Sequence, residues 1–324
     1  GFDAFRGKQE EAVLAALAGK DVLVIMPTGG GKTICYVIPA LVQPGVCIVV
    51  SPLLALMQDQ VANLTQRGVR AAQLSSALPA AQSRVSNSVR MWLLLVLLAA
   101  APPPLPPTSR FRSVLSRLHA QRYLSLFAID ESHCISTWGH DFRPAYRRLQ
   151  TLRRDFPGVP IMALTATAAS QVREDICEQL RLHKPLQLLS SFNRPNISYT
   201  VSSGSCPPDE LPTNSPTYPG TKNIVYCQKR DTCEAVAGRL SREGLPAAAY
   251  HGQMRDSLKK EVLRRWQADE VPVVVATIAF GMGIDKAGVR LVVHFNLPRT
   301  LEGFYQEAGR AGRDGRPAES VMFY

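Results

Sequence analysis

The sequence predicts an α/β protein of two mainly parallel sheets flanked by helices, and three observations carry that prediction. Short apolar runs recur along the chain, polar-patterned stretches separate them, and 324 residues are more than one core ordinarily organises. In the first half, residues 22–26, 47–50, 124–129 and 161–164 are compact apolar runs of the kind found in buried parallel strands. Residues 56–67 and 170–182 between them suit covering helices. The second half repeats the pattern with runs at 224–227, 247–251, 273–277 and 291–295. Alternation of strand and helix argues for one parallel sheet in each half. Residues 202–220, rich in Ser, Pro, Gly and Thr, read as a loop. Residues 191–201 already look like the entry to the second lobe, so the boundary is expected near 188, giving lobes 1–188 and 189–324.

Composition narrows the classes. Hydrophobic residues make up 46% of the chain and charged residues 19%, as in folded soluble proteins. The net charge of +11 is uneven: residues 1–188 carry 20 Lys/Arg against 12 Asp/Glu, and the remainder 17 against 14. A basic surface attracts polyanions, nucleic acid among them. The seven cysteines include no C-x-x-C pair, which speaks against a zinc ribbon or a thioredoxin-like site and fits buried thiols in a reducing compartment. The opening Gly-Phe-Asp shows no targeting pattern. The apolar run 91–101 spans 11 residues, short of the roughly 20 needed to cross a membrane. One stretch, 83–110, is low in complexity: a Leu-rich run leads into Pro-Pro-Pro-Leu-Pro-Pro, which cannot be helical throughout.

Two motifs carry chemistry. The run 22–26 leads into Pro27-Thr28-Gly29-Gly30-Gly31-Lys32-Thr33 and then an apolar helix start. Met26 stands where the P-loop pattern asks for its first Gly, but Gly31-Lys32-Thr33 fits the end of the pattern. Thr28 and the three glycines let backbone N–H groups curl around phosphate oxygens, Lys32 would reach the β- and γ-phosphates of ATP, and Thr33 would offer its hydroxyl to Mg²⁺. The second motif, Asp130-Glu131-Ser132-His133, follows the run 124–129. Carboxylates at the end of a buried strand sit at the crevice where α/β folds bind ligands. Asp130 can hold Mg²⁺, and Glu131 can orient and deprotonate water.

Further segments make the chain recognisable. Phe5-Arg6-Gly7-Lys8-Gln9, the P-loop, the Asp-Glu-x-His box and Leu164-Thr165-Ala166-Thr167-Ala168 stand in the order of superfamily-2 helicases. Residues 132–144, from Ser-His-Cys to Phe-Arg-Pro, closely resemble the aromatic-rich loop of RecQ-type DNA helicases. Residues 192–196, 276–286 and 306–315 continue that resemblance, which covers all but about residues 77–112. It implies two tandem RecA-like lobes, the first binding ATP, and a motor moving 3′ to 5′ along single-stranded or partly duplex DNA in repair, recombination and replication. Gln9 resembles the residue that reads the adenine edge, with Arg6 supporting it. Thr165 and Thr167 resemble the link between ATP state and lobe closure. Arg310 and Arg313 resemble arginines that complete the ATP site from the second lobe, and Asp285 a nucleotide contact made there. Trp138 and Phe142 suit base stacking, with Arg143 gripping phosphate. Ser51, Asn193 and Arg194 complete the expected DNA contacts.

Two departures qualify the resemblance. The Thr-Pro-Glu strand end usual before the box is absent, and residues 93–98 are expected instead as a short buried strand leading to a surface loop, which puts a DNA contact of the first lobe in doubt. The Cys-rich zinc region and winged helix that often follow in the family do not occur in these residues, so no zinc is expected and strand separation would be weak or supplied elsewhere. His133, Cys134 and His140 lack a fourth ligand and are not read as a metal site. The compartment expected is the nucleus of a eukaryote or the cytoplasm of a bacterium. Two other readings are an RNA helicase sharing the ATP site and a DNA-binding remnant with impaired unwinding.

Overall fold

The computed structural model describes residues 3–52, 54–74, 95–99, 109–139, 141–203, 221–281, 286 and 288–324. The chain divides into two compact units, Gly1–Phe192 and Asn193–Tyr324.

In the first unit the elements run α1 (Gln9–Leu17), β1 (Val22–Ile25), α2 (Lys32–Val42), β2 (Val46–Ser51), α3 (Leu54–Gln66), β3 (Ala71–Leu74), β4 (Leu95–Ala99), α4 (Ser109–Ala120), β5 (Leu124–Ile129), α5 (Pro144–Arg147), α6 (Thr151–Asp155), β6 (Ile161–Thr165), α7 (Ser170–Gln179) and β7 (Leu186–Leu189). A 3₁₀ turn, Ser132–Ile135, follows β5. The seven strands form one parallel sheet in the order β3-β4-β2-β5-β6-β1-β7. Alternate side chains of these strands point to opposite faces. Leu23, Ile25, Ile48, Phe127 and Ile129 enter one core layer, and Val22, Val24, Val49, Leu126 and Leu164 enter the other.

The second unit contains β8 (Ile197–Ser202), β9 (Lys222–Tyr226), α8 (Arg230–Arg242), β10 (Ala247–Tyr250), α9 (Asp256–Gln267), β11 (Val273–Ala276), β12 (Val289–His294), α10 (Leu301–Ala308) and β13 (Ala318–Phe323). Its parallel sheet has the order β10-β11-β9-β12-β13-β8. Trp266 and Phe280 pack edge to face on one side, with centroids 5.3 Å apart. Cys227, Cys233 and Leu240 cover the other side.

Four strands lie outside the apolar runs read from the sequence. β3 and β7 have four residues each, β8 has a single buried residue, Ile197, among its six, and β13 interrupts its apolar positions with Glu319 and Ser320. β7 also moves the division of the chain past residue 188, because it pairs with β1 and closes the first sheet. The strand expected at 93–98 is β4, whose Leu95 to Ala99 pair with Cys47 to Ser51 of β2. The proline segment after it lies outside the described residues, as do residues 204–220 of the expected interlobe loop. No described helix is long and apolar enough to cross a membrane. The described cysteines, Cys35, Cys47, Cys134, Cys177, Cys227 and Cys233, are all free.

Asp21 fastens one end of the first sheet. Its buried carboxylate accepts from the backbone N–H of Ile161 at 2.8 Å, from that of His183 at 2.6 Å and from Arg153 Nη2. It thereby joins the entries of β1, β6 and β7. Removing one partner of a buried ion pair leaves the other uncompensated. Asp21→Ala is expected to lower the stability of the first unit by about 3 kcal/mol, read as a lower denaturant midpoint of its unfolding transition. A midpoint unchanged from the parent would show that the carboxylate carries no stability.

Candidate nucleotide and nucleic-acid site

β1 passes directly into the loop of residues 26–31, and α2 begins at Lys32. Gly31 stands at the helix N-cap with φ +80°, a left-handed conformation that disfavours other residues. A Cβ there would also run into Gln9 Nε2. That amide donates to the carbonyls of Gly30 at 3.2 Å and Gly31 at 3.1 Å, while Gln9 Oε1 accepts from the N–H of Arg6 at 2.8 Å. Gln9 is therefore a buried strut under the loop, and Arg6 is exposed. Lys32 Nζ donates to the carbonyl of Met26 at 3.2 Å, which keeps it folded over the loop. The first-turn N–H groups of α2 and this ammonium form an anion-binding cradle. Met26, where the pattern would have Gly, is buried in the core.

β6 lies between β1 and β5, so the loop after β1 and the box after β5 share one edge of the sheet. Asp130 is buried at that edge. Burial and the adjacent Glu131 push its carboxyl up to about 7 against the opposing pull of Lys32, and Gln60 hydrogen-bonds it. Burial, and after it the charge of the same carboxylate, push the hydroxyl of fully buried Tyr36 up. Neither Tyr36 nor Gln60 was singled out from the sequence, where nothing distinguishes them from packing residues of α2 and α3. Glu131 has φ +49°, a strained conformation for a residue with a Cβ, and its buried Oε2 lies 3.4 Å from His133 Nδ1. Hard oxygen donors around a buried carboxylate, with Thr33 opening α2 nearby, fit a divalent cation such as Mg²⁺.

His133 ties the box to β6. Its Nδ1 lies 2.9 Å from Thr165 Oγ1, which donates onward to the carbonyl of Thr167 at 3.0 Å. The Thr165 proton being committed there, the imidazole donates from Nδ1. Beyond the box, Trp138 is 66% exposed and Phe142 is 36% exposed, with the Arg147 guanidinium 5.9 Å from the Phe142 ring. The loop thus presents aromatic faces on the surface.

Three expected nucleic-acid contacts are otherwise engaged. Ser51 is the last residue of β2 and is completely buried, so its side chain cannot meet a strand. Arg143 donates from Nε and Nη2 to Asp141 Oδ2 at 3.0 and 2.8 Å and from Nη1 to the Pro52 carbonyl at 2.8 Å. It braces the aromatic loop against the end of β2. Arg194 turns its guanidinium onto backbone carbonyls of its own unit, at Ala311 (3.2 Å) and Gly312 (2.9 Å). Asn193 is exposed. Arg310 is buried and Arg313 half-buried, while Asp285 and His140 lie outside the described residues. His133, Cys134 and Asp141 bring possible ligand atoms within 4.8 Å of one another. Arg143 already neutralises Asp141, and burial pushes the Cys134 thiol far up, so the group reads as a hydrogen-bonded link between box and loop.

A model of DEAD/DEAH box helicases matches residues 6–176. The chain belongs to that family. A helicase conserved C-terminal domain model matches residues 209–315. The chain is 47% identical over 325 residues to the ATP-dependent DNA helicase RecQ of Pasteurella multocida, covering 100% of this chain and 50% of that protein. It is 43% identical over 331 residues to the ATP-dependent helicase SGS1 of Saccharomyces cerevisiae, covering 99% of this chain and 22% of that protein. These similarities make it a RecQ-type helicase core, and it spans half or less of the length of these two relatives. Among solved structures, Mycobacterium smegmatis helicase Lhr bound to ssDNA and AMP-PNP matches with a TM-score of 0.70 at 22% identity, covering 99% of this chain and 46% of that one. The helicase MrfA bound to DNA and AMPPNP matches with a TM-score of 0.74 at 19% identity, covering 97% and 47%. The likeness shows the fold: two RecA-like units.

The environment of Asp130 generates a pH test. An unfolded aspartate titrates near about 4, so between about pH 4 and about pH 7 the folded protein keeps a proton that the unfolded chain has released, and stability falls as pH rises. Asp130→Asn removes that loss. Without nucleotide or Mg²⁺, its advantage in Tm over the parent is expected to grow from about pH 4 to about pH 7 and level off above. An advantage independent of pH would show that the buried charge is not its source.

Proposed function

We propose that this chain is the motor core of an ATP-dependent DNA helicase, which hydrolyses ATP to move 3′ to 5′ along single-stranded DNA and open duplexes in repair and recombination. The observation that carries the reading is the chain of hydrogen bonds from Met26 of the phosphate loop to Thr165, from Thr165 to His133 of the box, and from the adjacent Cys134 to Asp141 of the loop that bears the exposed Trp138 and Phe142. The names of the curated relatives, ATP-dependent DNA helicases among them, support it.

Each residue then has a task. The loop N–H groups and Lys32 bind the phosphates, the ammonium exchanging the Met26 carbonyl for phosphate oxygens. Thr33 and Asp130 would hold Mg²⁺, which would offset the negative charge of the phosphates. Glu131 orients the attacking water and takes its proton. Arg310 and Arg313 supply positive charge to the transition state. Gln9 reads the adenine edge by exchanging its bonds to Gly30 and Gly31, so the same amide reports nucleotide to the loop. Trp138 and Phe142 stack on bases, and the His133–Thr165 bond carries the state of the box to β6.

Turnover measured with single-stranded DNA, with RNA and with neither tests the reading. DNA is expected to stimulate ATP hydrolysis well above RNA; equal stimulation would favour an RNA helicase, and no turnover a binding remnant. Lys32→Ala and Glu131→Gln should each abolish turnover, by about 100-fold or more, while nucleotide-free DNA binding persists. Near-normal hydrolysis by either variant would remove that residue from the mechanism.

Trp138→Ala should reduce DNA-stimulated hydrolysis far more than basal hydrolysis, since one base stack is worth about 1–3 kcal/mol. Equal proportional losses in the two rates would make the loop structural.

A further inference from the structure

We infer that Arg194 and Asn196 are positioning residues for Arg310 and Arg313, holding the loop that carries both arginines in a fixed conformation. The inference rests on the proposed role of those arginines and replaces the strand contact expected of Arg194.

The loop begins where α10 ends, and a helix end leaves carbonyls without intrahelical partners. Arg194 collects them. Its Nη1 lies 3.4 Å from the Gly309 carbonyl, and its Nη2 lies 3.2 Å from that of Ala311 and 2.9 Å from that of Gly312. Its Nε reaches Asn196 Oδ1 at 3.4 Å. The Asn196 amide in turn donates to the Gly312 carbonyl at 2.8 Å and to that of Arg316 at 2.9 Å. A positive charge at the C-terminal end of α10 is also the favourable sign for the helix dipole. Only a planar fork with several fixed donors can bridge carbonyls spread over Gly309–Gly312; a lysine ammonium is a single point charge on a flexible stem.

The far end of the loop is pinned independently. Arg290 donates from Nη2 to Asp314 Oδ1 at 2.6 Å and from Nη1 to the Pro317 carbonyl at 2.8 Å. Gly312, at the centre, has φ +57°, and a Cβ there would occupy the space of Asn196 Nδ2, so the glycine and the asparagine fit one another. Arg310 lies buried and hydrogen-bonded to Tyr226, while its Nε has no partner. Preorganised donors act on transition-state charge without reorganising during the reaction. Loosening their backbone should therefore lower kcat more than it weakens nucleotide binding.

The test uses the full chain with Arg194→Lys and Asn196→Ala, beside Arg310→Ala and Arg313→Ala as references. For each, kcat and KM for ATP are measured with saturating single-stranded DNA, together with Tm and the salt dependence of DNA affinity. Arg194→Lys is expected to lower kcat about 10- to 100-fold, with Asn196→Ala in the same direction, while KM and Tm stay close to the parent. Its DNA-affinity salt slope should also be unchanged, because no phosphate contact is lost. Retained kcat in both variants overturns the inference. So does a slope smaller by about one in a charge-removing Arg194→Gln, the mark of a lost phosphate contact. A fall in Tm and rise in KM that track the loss of kcat would reduce the pair to a structural role and overturn it as well. If Arg310→Ala and Arg313→Ala keep full turnover, the arginine assignment itself fails; if they lose it while Arg194→Lys and Asn196→Ala do not, only the positioning role fails.

Discussion

β6 lies between β1 and β5, and the chemistry of the first unit depends on that adjacency. Ile25 pairs with Thr165, and Ile129 pairs with Ala163, so three strands parallel in direction end side by side. The Met26 N–H donates to the Thr165 carbonyl at 3.1 Å, which anchors the start of the phosphate loop to the end of β6. The same threonine uses its hydroxyl toward His133 of the box. A single residue at the end of the middle strand thus touches both neighbours. Antiparallel neighbours would place alternate ends on opposite edges of the sheet, and these segments could not meet.

The second unit uses its carboxyl edge differently. Tyr226 ends β9 and His294 ends β12, and their rings stack 5.6 Å apart at 21°. His294 Nε2 lies 2.9 Å from Glu307 Oε2, and the Phe304 ring is 4.9 Å from that of His294. Both partners belong to α10, so the strand ends fix the helix, and the helix delivers the arginine-bearing loop. In the first unit, loops rise from strand ends and carry functional groups themselves. In the second, the strand ends form a platform on which a helix is set.

The sequence disclosed what is carried by residue type. Buried parallel strands are apolar on both faces, so eight of them stood out. β7 and β8 did not, because their faces are largely exposed and their residues need not be apolar. The phosphate loop and the box were legible because glycine, lysine and adjacent acids are few and their spacing is informative. The uses of Ser51, Arg143 and Arg194 were hidden for a shared reason. Burial of Ser51 follows from the pairing of β2 with both neighbours, which no single residue reveals. The acceptors of Arg143 and Arg194 are largely backbone carbonyls, and a carbonyl is the same at every residue. An arginine that braces a loop and one that grips a phosphate look identical until the fold is known.

That ambiguity bears on the charge of the molecule. The formal charge of +11 is a net value, so guanidinium groups paired with carboxylates inside their own unit add nothing to it, and the excess is carried by the other basic residues. Arg143 pairs with Asp141, Arg153 with Asp21, Arg264 with Glu261 and Glu270, and Arg290 with Asp314. Coulomb attraction to a distant strand depends on net local charge, and each internal pair is close to neutral at the separations where steering acts. The exposed Trp138 and Phe142 stand on a loop whose backbone is fastened to the ATP-site box through Cys134, Asp141 and Arg143. Arg143 thus ties the aromatic loop to the end of β2, and Cys134 and Asp141 tie it to the box, all by hydrogen bonds within the first unit.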